Sequence, residues 1–338
     1  MRVLVTGAGG FVGRRLVSAL LNEPALGRGG GDAEQISELI LTDRSDAGLN
    51  AFAADPRVRI EIGDFCRPEF RRALFAKRID SIFHLAATLT TDAEADFAHG
   101  LQVNLLGVID LLEDCRSGAH RPRFIFPSSI AAFGGPLPDR VDDKISQTPQ
   151  TSYGTAKAIS ELLINDYSRH GFIDGRVLRL PVVLIRPGAP NPSISDRVAS
   201  IVREPLHGLD IICPLRPETK IPVGSVRCIA AALIRLHEVP ADRFGHTRAM
   251  NLPSLTVSVA EMVEAIERFD YPGPRGKVSW KRDDQIQAIV DGWPNSFVSD
   301  EASRLGIKSD ASFTDILRAY VEDELRPAGQ LTVHAINP

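Results

Sequence analysis

Two kinds of apolar spacing alternate along the chain. Short apolar runs, suited to strands buried on both faces, sit at Val3–Val5, Glu38–Thr42, Val58–Ile62, Ser81–Leu85, Arg123–Pro127 and Arg176–Ile185. Between them, apolar residues recur every three or four positions, as on one face of a helix: up to Leu21, then Ala95–Cys115, then Tyr153–His170. Strands that alternate with helices through residue 185 predict an α/β fold with a parallel, doubly wound sheet. Three stretches interrupt the rhythm. Asn22–Gln35, with Pro24 and Gly27-Arg28-Gly29-Gly30-Gly31, predicts a flexible surface insertion that delays the second strand. Phe133–Ser152 predicts a loop, and Arg186–Pro192 a rigid, non-helical excursion from the sheet. Beyond Ser193 the pattern loosens into helices and short strands at Ser195–Arg203, Val223–Glu238, Val257–Phe269 and Ser312–Leu325. The expected division is therefore 1–185 for the sheet unit and 186–338 for a smaller C-terminal lobe, some of whose segments return to the main sheet.

Composition narrows the partners. The 338 residues are 43% apolar and 24% charged, as in an ordinary soluble protein with a sizeable core. A net charge of −4 lacks the basic excess expected of a nucleic-acid binder. Cys66, Cys115, Cys213 and Cys228 form no Cys-x-x-Cys pair, and their spacing suggests neither a metal site nor a disulfide framework. The N-terminus has no signal-peptide pattern, and no apolar run approaches the ~20 residues that span a bilayer. The expectation is a soluble cytoplasmic protein with a small-molecule ligand and no nucleic-acid, membrane or metal partner.

Candidate chemistry begins at the first strand. It runs into Thr6-Gly7-Ala8-Gly9-Gly10-Phe11-Val12-Gly13 and then a helix. Glycines at 7, 10 and 13 suit a tight strand-to-helix turn whose backbone approaches a pyrophosphate at a helix N-terminus. Asp43 ends the second strand. A carboxylate there accepts from ribose hydroxyls and repels a 2′-phosphate, which favours NAD over NADP; a simple turn aspartate is the alternative, and Arg44 beside it argues the other way. Asp64 follows the third strand and either bonds an adenine amino group or caps the helix near Pro68. The fourth strand, ending at Leu85, runs into Ala86, Ala87 and Thr88, small side chains that let backbone pass beneath a cofactor. His84, inside that strand, reads as core. Asn104 is disfavoured in a helix interior, which predicts a tertiary hydrogen bond. Tyr153 and Lys157 are one helical turn apart, so an ammonium can favour the phenolate and make a base of a tyrosine.

In chain order, Gly7-x-x-Gly10-x-x-Gly13, Ser129, Tyr153 and Lys157 resemble the extended short-chain dehydrogenase/reductase family, the relatives of nucleotide-sugar epimerases. The resemblance is strong over residues 1 to 190. It implies a Rossmann fold, an NAD cofactor and a substrate-binding C-terminal lobe. Gly7, Gly10, Phe11 and Val12 would hold the pyrophosphate, Asp43 the ribose and Asp64 the adenine. Leu85, Ala86 and Ala87 would line the cofactor, with Asn104 below and Pro181, Val182 and Val183 near the carboxamide. Tyr153 would be the base, Lys157 would lower its pKa and bond the nicotinamide ribose, and Ser129, with Ser128 as fallback, would orient the substrate oxygen. The helices Ala95–Cys115 and Tyr153–His170 would pair two subunits into a homodimer.

Nucleotide-sugar enzymes of the family carry Arg-Tyr-Phe-Asn-Val-Tyr-Gly after the sixth strand. Here Arg179-Leu180-Pro181-Val182-Val183-Leu184-Ile185 has valine in place of the asparagine that helps hold a diphosphate. Leu184 to Asn191, Ser193 to Gly208 and Phe126 to Ala131 are instead similar to family members that oxidise C2 of a four-carbon sugar acid with NAD. Arg186 and Arg197 are then candidates for the substrate carboxylate, with Thr88 and Ser129 opposite for its hydroxyls. The competing expectations are a nucleotide-sugar epimerase or dehydratase and a non-catalytic regulator built on the same fold.

Overall fold

The computed structural model describes residues 1–27, 29, 33–118, 120–188, 190–191 and 193–325. Strands β1 (Arg2–Thr6), β2 (Glu38–Asp43), β3 (Val58–Ile62), β4 (Ser81–His84), β5 (Arg123–Ser129) and β6 (Asp174–Leu180) lie in one parallel sheet. A short piece of the later half joins them. Among ten strands labelled in chain order, β7 is Val182–Leu184, β8 Lys220–Ser225, β9 Ala249–Asn251 and β10 Leu255–Ser258, and β9 pairs in parallel with β6. The seven-stranded order is β3-β2-β1-β4-β5-β6-β9. The order reverses between β1 and β4, where an open α/β sheet leaves a crevice at its carboxyl edge.

Both faces of the sheet are covered, so its central strands are largely apolar. The helices that frame the sheet and the lobe core include α1 (Phe11–Asn22), α2 (Pro68–Leu74), α3 (Thr90–Ala95), α4 (Phe97–Leu101), α5 (Gly107–Ser117), α6 (Ser152–Arg169), α7 (Ile194–Leu206), α8 (Val226–Glu238), α9 (Val259–Arg268) and α10 (Phe313–Tyr320). Val3, Val5, Leu39, Leu41 and Phe83 pack with Leu16 and Leu20 of α1 and Leu233 of α8. Leu4, Ile40, Ile82 and Phe124 turn to the other face against Leu111 and Leu112 of α5 and Ile164 of α6. The alternation within each strand is the period of two that a strand imposes. A separate core, with Val182, Leu184, Val198, Val202, Val223, Met262 and Ile316, holds the C-terminal lobe around the three-stranded sheet β7-β8-β10. The division at residue 185 thus separates stretches of chain more than layers, since α8 and β9 complete the first unit.

Four expected elements differ in the structure. The helix expected over Ala95–Cys115 starts earlier, at Thr90, and breaks at Asp96, whose backbone (φ −131°, ψ 87°) leaves the helical region while its carboxylate caps α4 through the His99 N–H. It then widens into a π turn at Gln102–Leu106 before α5. The strand expected over Arg176–Ile185 is two strands in two sheets, because Pro181 has no N–H to continue the ladder. The helices expected from Val223 and Val257 begin as strand, and they start only after Ser225 and Ser258, each of which caps the helix that follows. The Asn22–Gln35 insertion is tied down at its base: Ala25–Leu26 pairs with Glu34–Gln35, Leu26 is fully buried, and the Gly27 N–H reaches the Glu238 carboxylate. Arg28 and Gly30 to Asp32 of that insertion, like Ala189 and Pro192 of the later excursion, lie outside the described residues.

Candidate active site

A groove of about 490 Å³ opens over the β1/β4 crevice. Its floor is the glycine turn. Gly7 has φ +66° and accepts the Gly10 N–H at 3.1 Å. A Cβ on Gly7 would lie 2.6 Å from the Ala86 nitrogen, and one on Gly13 would lie 2.2 Å from the Gly7 carbonyl oxygen. Only glycine lets the β4 end and α1 close on the turn this tightly. The Asp43 carboxylate sits beside it, accepting the Gly9 N–H at 2.9 Å and the Arg44 N–H at 2.7 Å. Asp64 accepts the Cys66 N–H at 2.9 Å, while Arg67 is the N-cap of α2, so Asp64 shapes the turn before the helix and does not cap it.

Nearly all predicted cofactor positions line this groove: Gly7, Gly10, Phe11, Val12, Asp43, Asp64, Leu85, Ala86, Ala87, Tyr153, Lys157, Pro181 and Val183. Asn104 does not. It is buried in the π turn, and its side-chain amide accepts the Thr88 N–H and donates to the Thr88 carbonyl, both at 2.9 Å. The tertiary bond predicted for it exists, but it acts through Thr88 and one layer behind the surface. His84 is fully buried, bonded through Nδ1 to the Thr6 hydroxyl at 2.8 Å; burial pushes its pKa down to about 3, as befits a core residue.

The proton-transfer candidates come from two elements that end side by side. Ser129 closes β5, and α6 opens with the Thr151 hydroxyl accepting the Gly154 N–H at 3.0 Å. Tyr153, half-buried, lines the groove together with Ser129. Ser128, the fallback, is spent: its buried hydroxyl donates to Glu161. Glu161 also takes Gln147 Nε2 and Arg179 Nε, each at 2.9 Å, and Arg179 reaches Asn251 of β9 at 3.2 Å. Sequence reasoning missed this buried network. Its signal was available, because Glu161 is four residues beyond Lys157 on the same helical face.

Lys157 also lines the groove. It is buried, donates to the Pro127 carbonyl at 2.8 Å and lies 4.2 Å from the Phe126 ring centroid. Burial pushes its pKa down to about 7, with the Glu161 carboxylate opposing. Burial also raises the pKa of Tyr153, and the charge that pulls it back is Arg186, helped by the bond to Ser129. The ammonium of Lys157 stands 5.6 Å from the tyrosine ring centroid.

Of the two carboxylate candidates, one reaches the groove. Arg186 lines it, with its guanidinium 5.2 Å from the Phe11 ring centroid. Its Nε and Nη1 are buried and have no hydrogen-bond partner among the described residues. Arg197 is exposed on α7 and lines a different surface groove with Ser200, Ile212 and Lys281. The cause lies next door: Asp196 is turned inward and gripped by Arg203 at 2.9 and 3.1 Å, so the adjacent position, about 100° around the helix, faces out. Thr88 and Ser129 line the same groove as Arg186. Among the described residues, no group of three or more His, Cys, Asp or Glu side chains could hold a metal, and no helix is long and apolar enough to cross a membrane.

The family model described as the NAD dependent epimerase/dehydratase family matches residues 3–245. A D-erythronate dehydrogenase of Cupriavidus necator is 43% identical over 324 residues, covering 96% of this chain and 98% of that protein. A second D-erythronate dehydrogenase, from Haemophilus influenzae, is 38% identical over 327 residues, covering 96% of this chain and all of that protein (100%). A crystal structure described as a nucleoside-diphosphate-sugar epimerase from Agrobacterium tumefaciens is 34% identical with a TM-score of 0.86, covering 96% of this chain and 94% of that one. The cofactor is NAD, and the groove suits it: the turn leaves no room for a Cβ at Gly7 or Gly13, and the Asp43 carboxylate stands beside it.

Proposed function

We propose that this chain, which belongs to the NAD dependent epimerase/dehydratase family, is a sugar-acid dehydrogenase that oxidises C2 of a four-carbon aldonate such as D-erythronate to the 2-oxo acid. The observation that carries the substrate charge is Arg186, a buried guanidinium with two unpartnered donors in the groove that holds Tyr153 and Ser129. A carboxylate would complete those bonds in the bidentate geometry that arginine favours.

Bound NAD supplies the hydride acceptor. Gly7, Gly10, Phe11 and Val12 would hold its pyrophosphate, Asp43 the ribose and Asp64 the adenine. Leu85, Ala86, Ala87, Pro181 and Val183 would wall it, with Asn104 acting through Thr88 and Lys157 reaching the nicotinamide ribose. Tyr153 takes the proton from the C2 hydroxyl. Ser129 orients that oxygen, Thr88 bonds a second hydroxyl and Arg186 fixes the carboxylate, so that C2 is held by groups on three separate elements.

The Agrobacterium relative's description favours a second reading, a nucleotide-sugar epimerase. Against it, Val182 is packed in the apolar core of the lobe and offers no polar atom to a diphosphate. A panel of C3 to C6 aldonates and sugar nucleotides, incubated with the purified protein and NAD, separates the readings. The dehydrogenase accumulates NADH with a four-carbon aldonate. Epimerised sugar nucleotide without net NADH would overturn it, and no turnover of either class would leave the regulator. On the same panel, Arg186→Met raises KM for the acid at least tenfold more than for the matching neutral polyol. Arg197→Met leaves both within about twofold; equal effects of Arg186→Met on acid and polyol would place the carboxylate elsewhere.

We also propose a homodimer. Phe97, Leu101, Leu106, Ile159 and Leu162 are large apolar side chains left exposed on α4, the π turn and α6, a patch suited to a second copy of the chain. Light scattering is expected to give about twice the single-chain mass of 36.8 kDa. A mass near the single-chain value would refute the pairing.

A further inference from the structure

Three residues of α6, each four positions after the last, address the end of β5. Tyr153 shares the groove with Ser129. One turn on, Lys157 donates to the Pro127 carbonyl at 2.8 Å. One turn further, Glu161 accepts the Ser128 hydroxyl. Residues four apart lie along one helical face, so three turns of a helix meet three consecutive residues of a strand. Tyr153 and Lys157 already have roles in the site. Glu161 has none, although its partner Ser128 stands between the acceptor of Lys157 and Ser129.

Glu161, Ser128 and Arg179 are all buried. Ser128 and Arg179 are register partners on β5 and β6, and the carboxylate spans them. One oxygen takes the Ser128 hydroxyl; the other takes Arg179 Nε at 2.9 Å, Arg179 Nη2 at 2.8 Å and Gln147 Nε2 at 2.9 Å. Arg179 in turn reaches Asn251 of β9 at 3.2 Å, and the Asn251 amide donates to the Val141 and Val298 carbonyls at 3.3 and 3.0 Å. Apolar side chains of similar volume commonly stabilise a core as well as a buried ion pair does, so stability alone does not account for this one. What charge-assisted bonds add is direction: donors on both oxygens fix the carboxylate, and with it the place of α6 along β5.

We propose that Glu161 is a positioning residue for the proton-transfer site: through Ser128 it holds the end of β5 against α6, so that the Ser129 hydroxyl stands where it orients the reacting oxygen for Tyr153. This rests on the reading of Ser129 and Tyr153 as the pair that meets that oxygen. Glu161 lies behind the groove, which Ser128 and Ser129 line, so it acts through the strand and not by contact. The Ser129 hydroxyl accepts the Ala131 N–H at 3.1 Å, which sets its direction locally. Its place relative to α6 is set by the strand, and Ser128 is the neighbouring residue of that strand. Loss of the Ser128 bond therefore acts on the chemical step, where placement within about 1 Å matters, and leaves the glycine turn and Asp43 as they are.

Ser128→Ala deletes this one bond with the smallest change of volume. It is expected to lower kcat about tenfold, with KM and NAD affinity within about twofold of wild type. Glu161→Gln approaches the same bond from the other end and should lower kcat in the same way, the double variant being no slower than the slower single one. The decisive measurement is a cycle with Ser129→Ala. If Ser128 acts through Ser129, then Ser128→Ala costs less than about twofold once Ser129 is alanine. A network that only stabilises the fold would lower the melting temperature and leave kcat alone. Unchanged kcat in folded Ser128→Ala overturns the proposal, as does the same tenfold loss with and without Ser129. Full activity of Ser129→Ala would remove that serine from the reaction, and this positioning with it. The cycle is read on whichever class of the panel turns over, because the serine meets the reacting oxygen in both. The sugar-acid reading can thus fail on the panel while this proposal stands, and no turnover of either class overturns both.

Discussion

Tyr153→Phe is expected to lower kcat for the acid by roughly 10²–10⁴-fold, the range a positioned general base supplies. The substitution removes one oxygen and keeps the ring, so the opening of α6 and the contact with Lys157 are retained. The phenol oxygen beside Ser129 is lost. This change does not touch the glycine turn or Asp43, so NAD affinity, followed by fluorescence titration, should stay within about twofold. The wild-type rate should rise with pH along the acid limb as the tyrosinate forms, and Tyr153→Phe should flatten that limb. A variant with near wild-type kcat, where chemistry is shown to limit turnover, would remove Tyr153 from the mechanism.

How far the sequence carried depended on the range of the interaction involved. The parallel sheet was legible because its determinants are local: apolar runs such as Val3–Val5, a glycine turn at a fixed spacing and helical periodicity. Tyr153, Lys157 and Ser129 were legible because a turn of helix and a strand end fix them. The break at Pro181 was written in the sequence too, yet the apolar run on both sides hid that the halves belong to different sheets. What stayed hidden was set by orientation and burial. Which of two arginines enters the groove depends on Asp196 turning inward to Arg203, a contact across two turns of α7. Asn104 was singled out correctly as an odd residue in a helix, but only the fold shows that its partner is the backbone of Thr88.

Gly154→Ala tests whether the catalytic pair depends on backbone contact. Gly154 stands between Tyr153 and Lys157 in the first turn of α6, where alanine ordinarily stabilises a helix by up to about 1 kcal/mol. Here a Cβ would lie 2.0 Å from the Ala131 carbonyl oxygen, 2.8 Å from its carbon and 3.1 Å from Pro149 Cβ. A backbone carbonyl cannot rotate out of the way as a flexible side chain can, so either α6 or the turn at Ile130–Ala132 must move. Forced overpacking costs about 1–3 kcal/mol, which outweighs the propensity gain. The turn cannot move alone, because the Ala131 N–H holds the Ser129 hydroxyl at 3.1 Å. Shifting it carries Ser129 away from Tyr153, and a misplacement near 1 Å can cost about 10² in rate. The expected variant binds NAD, melts roughly 1–4 °C below wild type and loses about 10²-fold in kcat. A raised melting temperature with unchanged kcat would show that the first turn of α6 has slack against the β5 end, and that Tyr153 and Ser129 are positioned by something other than this contact.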